Sequence, residues 1–487
     1  MTLSFDPDSV ALPRGHFIGE RLLAAKPVID MHRPSDAKPH GGCPLAGEDL
    51  VDEAVMSAKR ALKESNWAGV RPRERTKALQ AWADLMEAEA GTLGRIEAVS
   101  STRPIAQLIA GDIPVVAEQI RFFAEFADKE GSDVVPTDDG SFGMILTEPY
   151  GVVGAIVPWN VPISTTSWKL APALAAGNAI VLKPSEMTPF SAVYMAQLAV
   201  RAGIPAGLVN IVLGDGRTTG RALTRHPDIA KVSFTGSTRS GTAIAEDIAK
   251  SGIKPLTLEL GGKSPQVVFA DCDLARSASA IATSILVNAG QGCVAGTRVI
   301  VEERIADALM EAVAARMKDV RPGPTWDEAS QFSPIISDAQ LRRIDGLVRS
   351  ALDDGAQAVI GGAPMEREGY FYEPTVLTRV RPGSPALLEE IFGPVLTVQT
   401  FSTEEEAVAL SDHPTYGLAA GLYTSDLSRA LRLSRRLQAG TVWVNRYNRS
   451  RDHILPTGGY KRSGLGKDLG REAYVANRKS KSVLIGL

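Results

Sequence analysis

The sequence predicts an α/β protein with two doubly wound parallel-sheet domains and a small additional β element. From about residue 150 onward, short apolar runs of strand length alternate with helical patterns, which is the rhythm of βαβ units. This alternation breaks near residue 260 and then resumes, which indicates two sheets of similar size. A chain of 487 residues is long enough for two to three domains.

Composition and charge exclude several classes of protein. Hydrophobic residues make up 44% of the chain and charged residues 22%, the balance of a globular protein with an ample core. The net charge is −3 and there is no basic tract, so no nucleic-acid partner is expected. No apolar run reaches the roughly 18 residues of a membrane span, and the N-terminus lacks a signal-peptide pattern. We therefore expect a cytoplasmic protein without a membrane partner.

The first part of the chain precedes the alternation. The first 45 residues are predicted to be irregular, whereas residues 50–62 and 72–96 have the apolar spacing of helices. Residues 131–150 have the Gly, Pro and Asp punctuation of a hairpin or linker. The strands predicted next are 151–157, 179–182, 209–213 and 231–234, and the helices are 190–201 and 238–251.

A second alternation follows the break near residue 260. Its predicted strands are 266–269, 298–301, 358–360, 395–400 and 441–444, and its helices include 274–287 and 305–317. The closing segment 479–487 reads as a strand with no local partner, so it is expected to add to another sheet edge.

Cys293 is a candidate for chemistry. It follows a predicted helix and lies among Gly290, Gly292 and Gly296, and glycines let a backbone turn tightly and approach a ligand. A buried, unreactive thiol is an equally weighted alternative. The three cysteines are too far apart and odd in number for a disulfide framework. The six histidines form no zinc motif, so no metal is expected.

Two further polar residues stand at the ends of predicted strands. Glu259 ends an apolar run, where a buried carboxylate is either a structural ion-pair partner or a general base. Asn160 follows the strand at 151–157, at the end where open α/β sheets place ligands, and its amide N–H can hold an oxyanion. The alternative for Asn160 is a helix N-cap.

Three more segments suit a cofactor. Lys183 and Glu186 follow a strand three residues apart and can both face a sugar, and an acidic residue beside a ribose favours NAD over NADP. Gly236 and Ser237 join a strand to a helix N-terminus, which suits phosphate. No GxGxxG fingerprint is present. The segment EEIFGPV at 389–395 indicates by itself only a turn after a helix.

Together and in this order, these segments resemble the aldehyde dehydrogenase superfamily, of the NAD(P)-dependent, hydrolytic type. The segments that carry the resemblance are PWN, WKLAPALAAGN, VLKPSE, FTGS, LELGGKSP, GQGC, EEIFGPV and YKRSGLGKDLG. The most specific feature is LELGGKSP with the cysteine 34 residues after its glutamate. The resemblance extends from about residue 15 to the C-terminus.

The resemblance implies a division of the chain. An NAD-binding domain of atypical Rossmann type would comprise residues 1–130 and 150–259, and a catalytic domain residues 260–460. An oligomerisation element would comprise residues 131–149 and 477–487. In the family its terminal strand joins a sheet of a neighbouring subunit, so a homodimer or homotetramer is expected.

The resemblance also implies a covalent mechanism. Cys293 attacks an aldehyde carbonyl as a thiolate, and the Asn160 amide and the Cys293 backbone N–H hold the oxyanion. Hydride transfer to the nicotinamide leaves a thioester, and Glu259 activates the water that hydrolyses it to the acid. The residues implied to bind NAD, with NADP as the alternative cofactor, are Trp159, Lys183, Glu186, Gly236, Ser237, Glu390 and Phe392.

Departures from the family pattern bear on the substrate. Gly292 precedes the cysteine where relatives often carry a bulkier residue, and Thr457 stands where a Phe is usual. Trp168 is the only aromatic residue of the helix after PWN, so a cage for a quaternary ammonium is poorly supplied and betaine aldehyde is disfavoured.

The segment 445–459 is basic and lies where relatives often place substrate-access residues. It carries Arg446, Arg449, Arg451 and His453. Our hypothesis is a polar or carboxylate-bearing aldehyde held by one of the arginines. A solvated basic loop is an alternative of at least equal weight.

Two rival functions are weighed. A CoA-acylating aldehyde dehydrogenase would release the thioester to CoA, and such enzymes generally lack the water-activating glutamate, so Glu259 argues against this function. A non-catalytic protein on the same scaffold is opposed by the presence of Cys293, Glu259 and Asn160 together.

Overall fold

The computed structural model describes residues 2–448 and 453–487. Its α-helices are α1 (Glu48–Ser65), α2 (Pro72–Ala88), α3 (Ala90–Ser100), α4 (Ile105–Gln107), α5 (Ile113–Glu125), α6 (Pro162–Ala175), α7 (Phe190–Arg201), α8 (Arg221–Arg225), α9 (Thr238–Ser251), α10 (Leu274–Leu286), α11 (Ala306–Lys318), α12 (Asp338–Asp353), α13 (Pro385–Leu388), α14 (Glu404–Ser411), α15 (Leu427–Arg436) and α16 (Gly470–Val475).

Its strands form five sheets. They are β1 (His16–Ile18), β2 (Arg21–Leu23), β3 (Val28–His32), β4 (Pro39–Pro44), β5 (Asp133–Val135), β6 (Ser141–Pro149), β7 (Val152–Ile156), β8 (Ala179–Lys183), β9 (Val209–Ile211), β10 (Lys231–Thr235), β11 (Leu256–Glu259), β12 (Pro265–Val268), β13 (Arg298–Glu302), β14 (Gln357–Ile360), β15 (Thr375–Thr378), β16 (Val395–Phe401), β17 (Tyr416–Gly417), β18 (Ala419–Tyr423), β19 (Thr441–Val444), β20 (Tyr460–Lys461), β21 (Gly464–Leu465) and β22 (Arg478–Gly486).

The first sheet has eight strands in the order β2-β1-β9-β8-β7-β10-β11-β21, and the five from β9 to β11 in that order run parallel. Strands β7 and β8 are buried at every position, which is why they read as nearly continuous apolar runs. The parallel part of this sheet begins with β7. The chain then adds β8 and β9 on one side of β7 and returns to add β10 on the other side. This confirms the predicted doubly wound arrangement, with its switch point between β7 and β10.

The second sheet has seven strands in the order β14-β15-β16-β13-β12-β18-β19, and every neighbouring pair except β14 and β15 is parallel. It is also doubly wound, because the chain moves from β12 to one side and returns for β18 on the other. The chain leaves the first sheet after Glu259 and enters the second at Pro265. The break predicted near residue 260 therefore coincides with the passage between the sheets.

A third, three-stranded sheet has the order β22-β6-β5. Strand β22 pairs antiparallel with β6 over its full length, from Arg478 opposite Pro149 to Gly486 opposite Ser141. The closing segment was predicted to add to another sheet edge, and it does so at β6 of its own chain. The expectation that this strand also joins a sheet of a neighbouring subunit stays a prediction. A pairing across more than 300 residues leaves no local signal, so the sequence showed the strand and not its neighbour.

Two local predictions were wrong. The helix predicted over 72–96 is two helices, because Glu89 leaves the helical conformation (φ −98°, ψ 15°) and its carboxylate accepts hydrogen bonds from Tyr194 and Arg201. The first 45 residues contain four short strands. Two of them pair with each other as β3 and β4, and β1 joins the first sheet beside β9.

The largest core surrounds the first sheet, where Trp82 of α2, Phe123 of α5 and Phe190 of α7 are fully buried. Within residues 2–448 and 453–487, no helix is long and apolar enough to cross a membrane. The same residues contain no group of three or more His, Cys, Asp or Glu side chains placed to hold a metal ion.

Candidate active site

The turn ahead of Cys293 is built on left-handed backbone. Three successive residues, Asn288 to Gly290, have φ values of 52°, 49° and 69°. Gly290 has no room for a side chain, because a Cβ there would lie 2.1 Å from the carbonyl oxygen of Gly393. This conformation turns the chain sharply out of α10 and sets the direction in which Cys293 is presented.

Cys293 is brought against the LELGGKSP segment. A Cβ on Gly262 would lie 2.5 Å from the carbonyl oxygen of Cys293, so the two backbones are in contact and only glycine allows this approach. Cys293 and Cys272 are partly exposed thiols, whereas Cys43 is fully buried and burial raises the pKa of its thiol to about 12. The buried-thiol alternative therefore describes Cys43 and not Cys293.

The Asn160 side chain faces the cysteine turn. Its amide nitrogen donates to the carbonyl oxygen of Gln291 at 3.0 Å, two residues before Cys293. The N-cap position of α6 is Val161, so Asn160 does not cap that helix. Asn160 is buried, and its backbone carbonyl oxygen accepts a hydrogen bond from Asn288 Nδ2 at 2.9 Å.

Glu259 is the last residue of β11 and is buried. Its backbone carbonyl accepts a hydrogen bond at 3.0 Å from the N–H of Gly236, the residue that follows the neighbouring strand β10. A Cβ on Gly458 would lie 2.7 Å from Glu259 Oε1, so the carboxylate lies directly against the segment that closes with PTGG. In the sequence Glu259 precedes Gly262 by three residues, and Gly262 contacts the backbone of Cys293.

Lys183 and Glu186 lie together at the carboxyl end of β8. Lys183 Nζ donates to the carbonyl oxygens of Pro184 at 2.9 Å and Gly214 at 2.7 Å, and it lies 3.6 Å from Glu186 Oε2. Burial lowers the pKa of the Lys183 amine, and the Glu186 carboxylate partly opposes that shift. The pair presents a donor and an acceptor side by side, which fits the hydroxyls of a ribose.

Gly236 and Ser237 connect β10 to α9 as predicted, but their polar groups are already engaged. The Gly236 N–H belongs to the sheet, and the Ser237 hydroxyl caps α9 by accepting from Ser240 N at 3.2 Å. A Cβ on Gly236 would lie 2.5 Å from the Phe234 ring. The N–H groups of the first turn of α9 are the remaining donors that suit a phosphate.

The Glu390 side chain contacts the LELGGKSP segment at Gly262, the residue that also contacts the cysteine turn. Its Oε1 accepts from the N–H of Gly262 at 2.9 Å. Burial raises the pKa of the Glu390 carboxyl to about 7, and the charges of Arg343 and Lys263 oppose the shift. Two residues on, Phe392 takes a left-handed φ of 57° and packs edge-to-face on Trp159, with ring centroids 5.3 Å apart. EEIFGPV is therefore more than a turn after α13.

Sequence reasoning missed the residues that brace the cysteine turn. Gln291 is fully buried and donates to the carbonyl oxygens of Asn288 and Pro334, while its Oε1 accepts from Ile336 N. The Tyr447 hydroxyl donates to the carbonyl oxygen of Val294 at 2.9 Å. A long amide side chain between two glycines was a signal that could have identified Gln291, whereas nothing local indicates the contact of Tyr447.

The basic segment is described only in part. Arg446 is exposed and its guanidinium donates to the Asn448 carbonyl at 3.4 Å, while His453 is buried beside Phe122. Arg449 and Arg451 lie outside the described residues. Thr457 and Trp168 are buried, and a Cβ on Gly292 would meet only the backbone nitrogen of Ala295 within 4 Å, at 3.9 Å.

Comparison with known proteins agrees with this geometry. The model of the aldehyde dehydrogenase family matches residues 23–483. The NADP/NAD-dependent aldehyde dehydrogenase PuuC of Escherichia coli is 42% identical, over 90% of this chain and 88% of its own.

Two solved structures have a TM-score of 0.96 and cover 99% of this chain and 98% of their own. One is an indole-3-acetaldehyde dehydrogenase with NAD+, 37% identical, and the other is the γ-glutamyl-γ-aminobutyraldehyde dehydrogenase of Burkholderia cenocepacia, 41% identical. The chain therefore belongs to the aldehyde dehydrogenase family and is an enzyme of that family.

Proposed function

We propose that this enzyme oxidises an aldehyde to the carboxylic acid through a covalent intermediate on Cys293, with NAD as cofactor. The observation that carries the proposal is the meeting of three loops at one point. The cysteine turn contacts Gly262, its Gln291 carbonyl is bonded to the Asn160 amide, and Gly262 lies three residues from Glu259. The nucleophile is supplied by the turn after α10, and the oxyanion donor and the base are supplied by residues at the ends of β7 and β11.

In the first half-reaction the Cys293 thiolate attacks the carbonyl carbon, and the C=O pair of electrons moves to oxygen. The Asn160 amide N–H and the Cys293 backbone N–H stabilise that oxyanion, and losing one such donor typically costs about 100- to 1000-fold in rate. Collapse of the oxyanion expels a hydride and leaves a thioester on Cys293. NAD+, when held by the residues named below, would supply the acceptor for that hydride.

In the second half-reaction Glu259 takes a proton from water, and the hydroxide adds to the thioester carbonyl. The C–S bond then breaks, which returns the thiolate and releases the acid. Glu259 is buried at the end of β11, which suits this role. A carboxylate removed from water accepts a proton more readily than a hydrated one, because burial disfavours its charged form.

The cofactor would be held by the groups described above. Lys183 and Glu186 fit the adenosine ribose, the start of α9 beyond Gly236 and Ser237 fits the pyrophosphate, and Glu390 with the Trp159–Phe392 pair fits the nicotinamide riboside. A carboxylate at Glu186 would repel a 2′-phosphate, which supports NAD over NADP.

Replacement of Glu259 by Gln tests the hydrolytic step. With aldehyde and NAD+, the variant is expected to complete a single burst of NADH and to accumulate an acyl adduct on Cys293, seen by intact-protein mass spectrometry. The wild type should release free acid without CoA. Release of the product as acyl-CoA with no free acid, or an unchanged steady-state rate in Glu259→Gln, would refute hydrolysis through Glu259.

We further propose a polar or carboxylate-bearing aldehyde as substrate. Support comes from the exposed side chain of Arg446, which precedes Tyr447, the residue whose hydroxyl donates to the carbonyl oxygen of Val294 beside Cys293. The kcat/KM for a semialdehyde acid should exceed that for an alkanal of equal length, and Arg446→Gln should narrow the difference. A higher kcat/KM for the alkanal would refute the hypothesis that an arginine of this segment holds a substrate carboxylate.

We also propose the domain division given above and a homo-oligomeric state, dimer or tetramer. Support for the division comes from the passage between sheets after Glu259 and from the separate three-stranded sheet. Support for self-association comes from apolar side chains that this small sheet exposes, including Val134 and Leu484.

A further inference from the structure

We infer that Asn288 is a positioning residue that orients the Asn160 amide toward the reacting carbonyl. The inference rests on the proposed role of Cys293 and Asn160. Asn288 is buried, and it acts by holding the backbone carbonyl groups of Asn160 and Gln291.

The geometry is a closed ring of hydrogen bonds. Asn288 Nδ2 donates to the carbonyl oxygen of Asn160 at 2.9 Å and to that of Gln291 at 3.2 Å. The Asn160 side-chain amide donates to the same Gln291 carbonyl at 3.0 Å. Asn160 is therefore fixed at both its backbone carbonyl and its side-chain nitrogen. A primary amide has two N–H donors, so one Asn160 N–H is used by the ring and the other is left at a fixed angle.

The orientation of Asn288 is itself fixed from the first half of the chain. The Thr102 hydroxyl donates to Asn288 Oδ1 at 2.6 Å, which determines which end of the Asn288 amide faces Asn160. Asn288 is 3% exposed and has φ 52°, a conformation that asparagine tolerates better than most residues. A buried residue that uses both ends of its amide and the left-handed region leaves few replacements that preserve the ring.

A double-mutant cycle tests whether Asn288 acts through Asn160. Asn288→Gly keeps the left-handed backbone and removes the amide, and we expect kcat/KM for the aldehyde to fall about 10- to 100-fold, as misplacement of a reacting group by about 1 Å does. In an Asn160→Ala background the same change should cost less than about 2-fold, because the amide to be oriented is gone. An equal loss in both backgrounds would overturn the inference.

A second variant and three further measurements separate positioning from general damage. Thr102→Val leaves Asn288 in place and removes its anchor, so it should show the same pattern with a smaller loss. Hydrolysis of 4-nitrophenyl acetate, which uses the oxyanion site without cofactor, should fall in parallel with aldehyde oxidation. The rate of Cys293 alkylation by iodoacetamide and the Tm should stay near wild type for Thr102→Val. An unchanged ester hydrolysis in Asn288→Gly would also overturn the inference.

Failure of the proposed function would look different. If Cys293→Ser retained wild-type turnover, the nucleophile assignment would be wrong and Asn288 would have nothing to position. If Cys293→Ser were inactive while Asn288→Gly matched the wild type, only the positioning role would be lost.

Discussion

Glu390 makes cofactor binding depend on pH in a stated direction. Burial raises the pKa of its carboxyl to about 7, so the charge is present above that pH and lost below it. A charged acceptor holds ribose hydroxyls more strongly than a neutral one. The Kd for NAD+ should therefore rise as pH falls from about 8 to about 6, and Glu390→Gln should remove most of that dependence.

Isothermal titration across this pH range measures the effect. Glu389→Gln is the matched control, because Glu389 is the exposed neighbour of the same segment. A wild-type Kd that stays constant over the range would contradict a role of Glu390 at the nicotinamide ribose.

The buried carboxyl of Glu97 makes the stability of the fold depend on pH. Burial raises the pKa of its carboxyl to about 7, against hydrogen bonds from Ser191 and the Ile163 N–H. Between about pH 4.5 and 7 the native state keeps a proton that the unfolded state releases, so stability is lost as pH rises. Glu97→Gln should be more stable than the wild type at about pH 8, on the order of 1–3 kcal/mol, with little gain at about pH 5.

Urea unfolding at both pH values gives this difference directly. The buried histidines His16, His40 and His413 also titrate, since burial lowers the pKa of each to about 4, but they are common to both proteins and cancel. A stability difference that does not change with pH would contradict the assignment of the raised pKa to Glu97.

At the scale of elements, the left-handed turn after α10 is the feature most sensitive to substitution. Gly290→Ala would place a methyl group 2.1 Å from the Gly393 carbonyl oxygen at φ 69°, so the turn must shift. We expect a loss of more than about 2 kcal/mol in stability, together with loss of activity. Gly346→Ala is the control, because that glycine lies in α12 with nothing within 4 Å of a new Cβ.

The control should be neutral or stabilising by up to about 1 kcal/mol, as expected for alanine in a helix. Thermal unfolding of both variants checks the pair. Equal stability of Gly290→Ala and Gly346→Ala would contradict the requirement for glycine at the turn.

The elements also show what the sequence could predict. Helices α7 and α9 were predicted with their observed ends, because apolar spacing is a local signal and Ser237 is a recognisable cap of α9. The strands β1 to β4 were missed, since runs of three to six residues are too short to show a pattern, and β1 becomes recognisable only through its distant partner β9. The ring around Asn288 was missed for the same reason: Thr102 lies 186 residues away.

At the scale of the whole molecule, the three-stranded sheet exposes apolar side chains that a solvent-facing sheet rarely keeps. Leu484 is 70% exposed and Leu487 is 84% exposed. We expect Leu484→Lys to lower the oligomer mass measured by light scattering, since a charge would have to be buried in the subunit contact. Lys481→Gln in the same strand is the control and should leave the mass unchanged.

Because Leu484 is exposed within its own chain, the variant subunit should still fold, and circular dichroism should match the wild type. An unchanged oligomer mass in Leu484→Lys would contradict the use of this sheet in self-association.

The overall architecture could be predicted from the sequence, whereas the candidate site could be predicted only in part. The alternation of strands and helices gave both doubly wound sheets, and β7, β8, β10 and β11 place their carboxyl ends where the candidate residues were expected. The contact of Asn160 with Gln291 joins the segment after β7 to the turn after α10, which lies in the part of the chain that builds the second sheet. No pattern within one segment encodes that contact.

The central claim concerns the sulfur of Cys293, and its replacement by a hydroxyl tests it most directly. A serine hydroxyl at neutral pH is a far weaker nucleophile than a thiolate, so Cys293→Ser should reduce aldehyde-dependent NADH formation by on the order of 1000-fold or more. Binding of NAD+ should be retained. Turnover by Cys293→Ser within about 10-fold of the wild type would contradict the account.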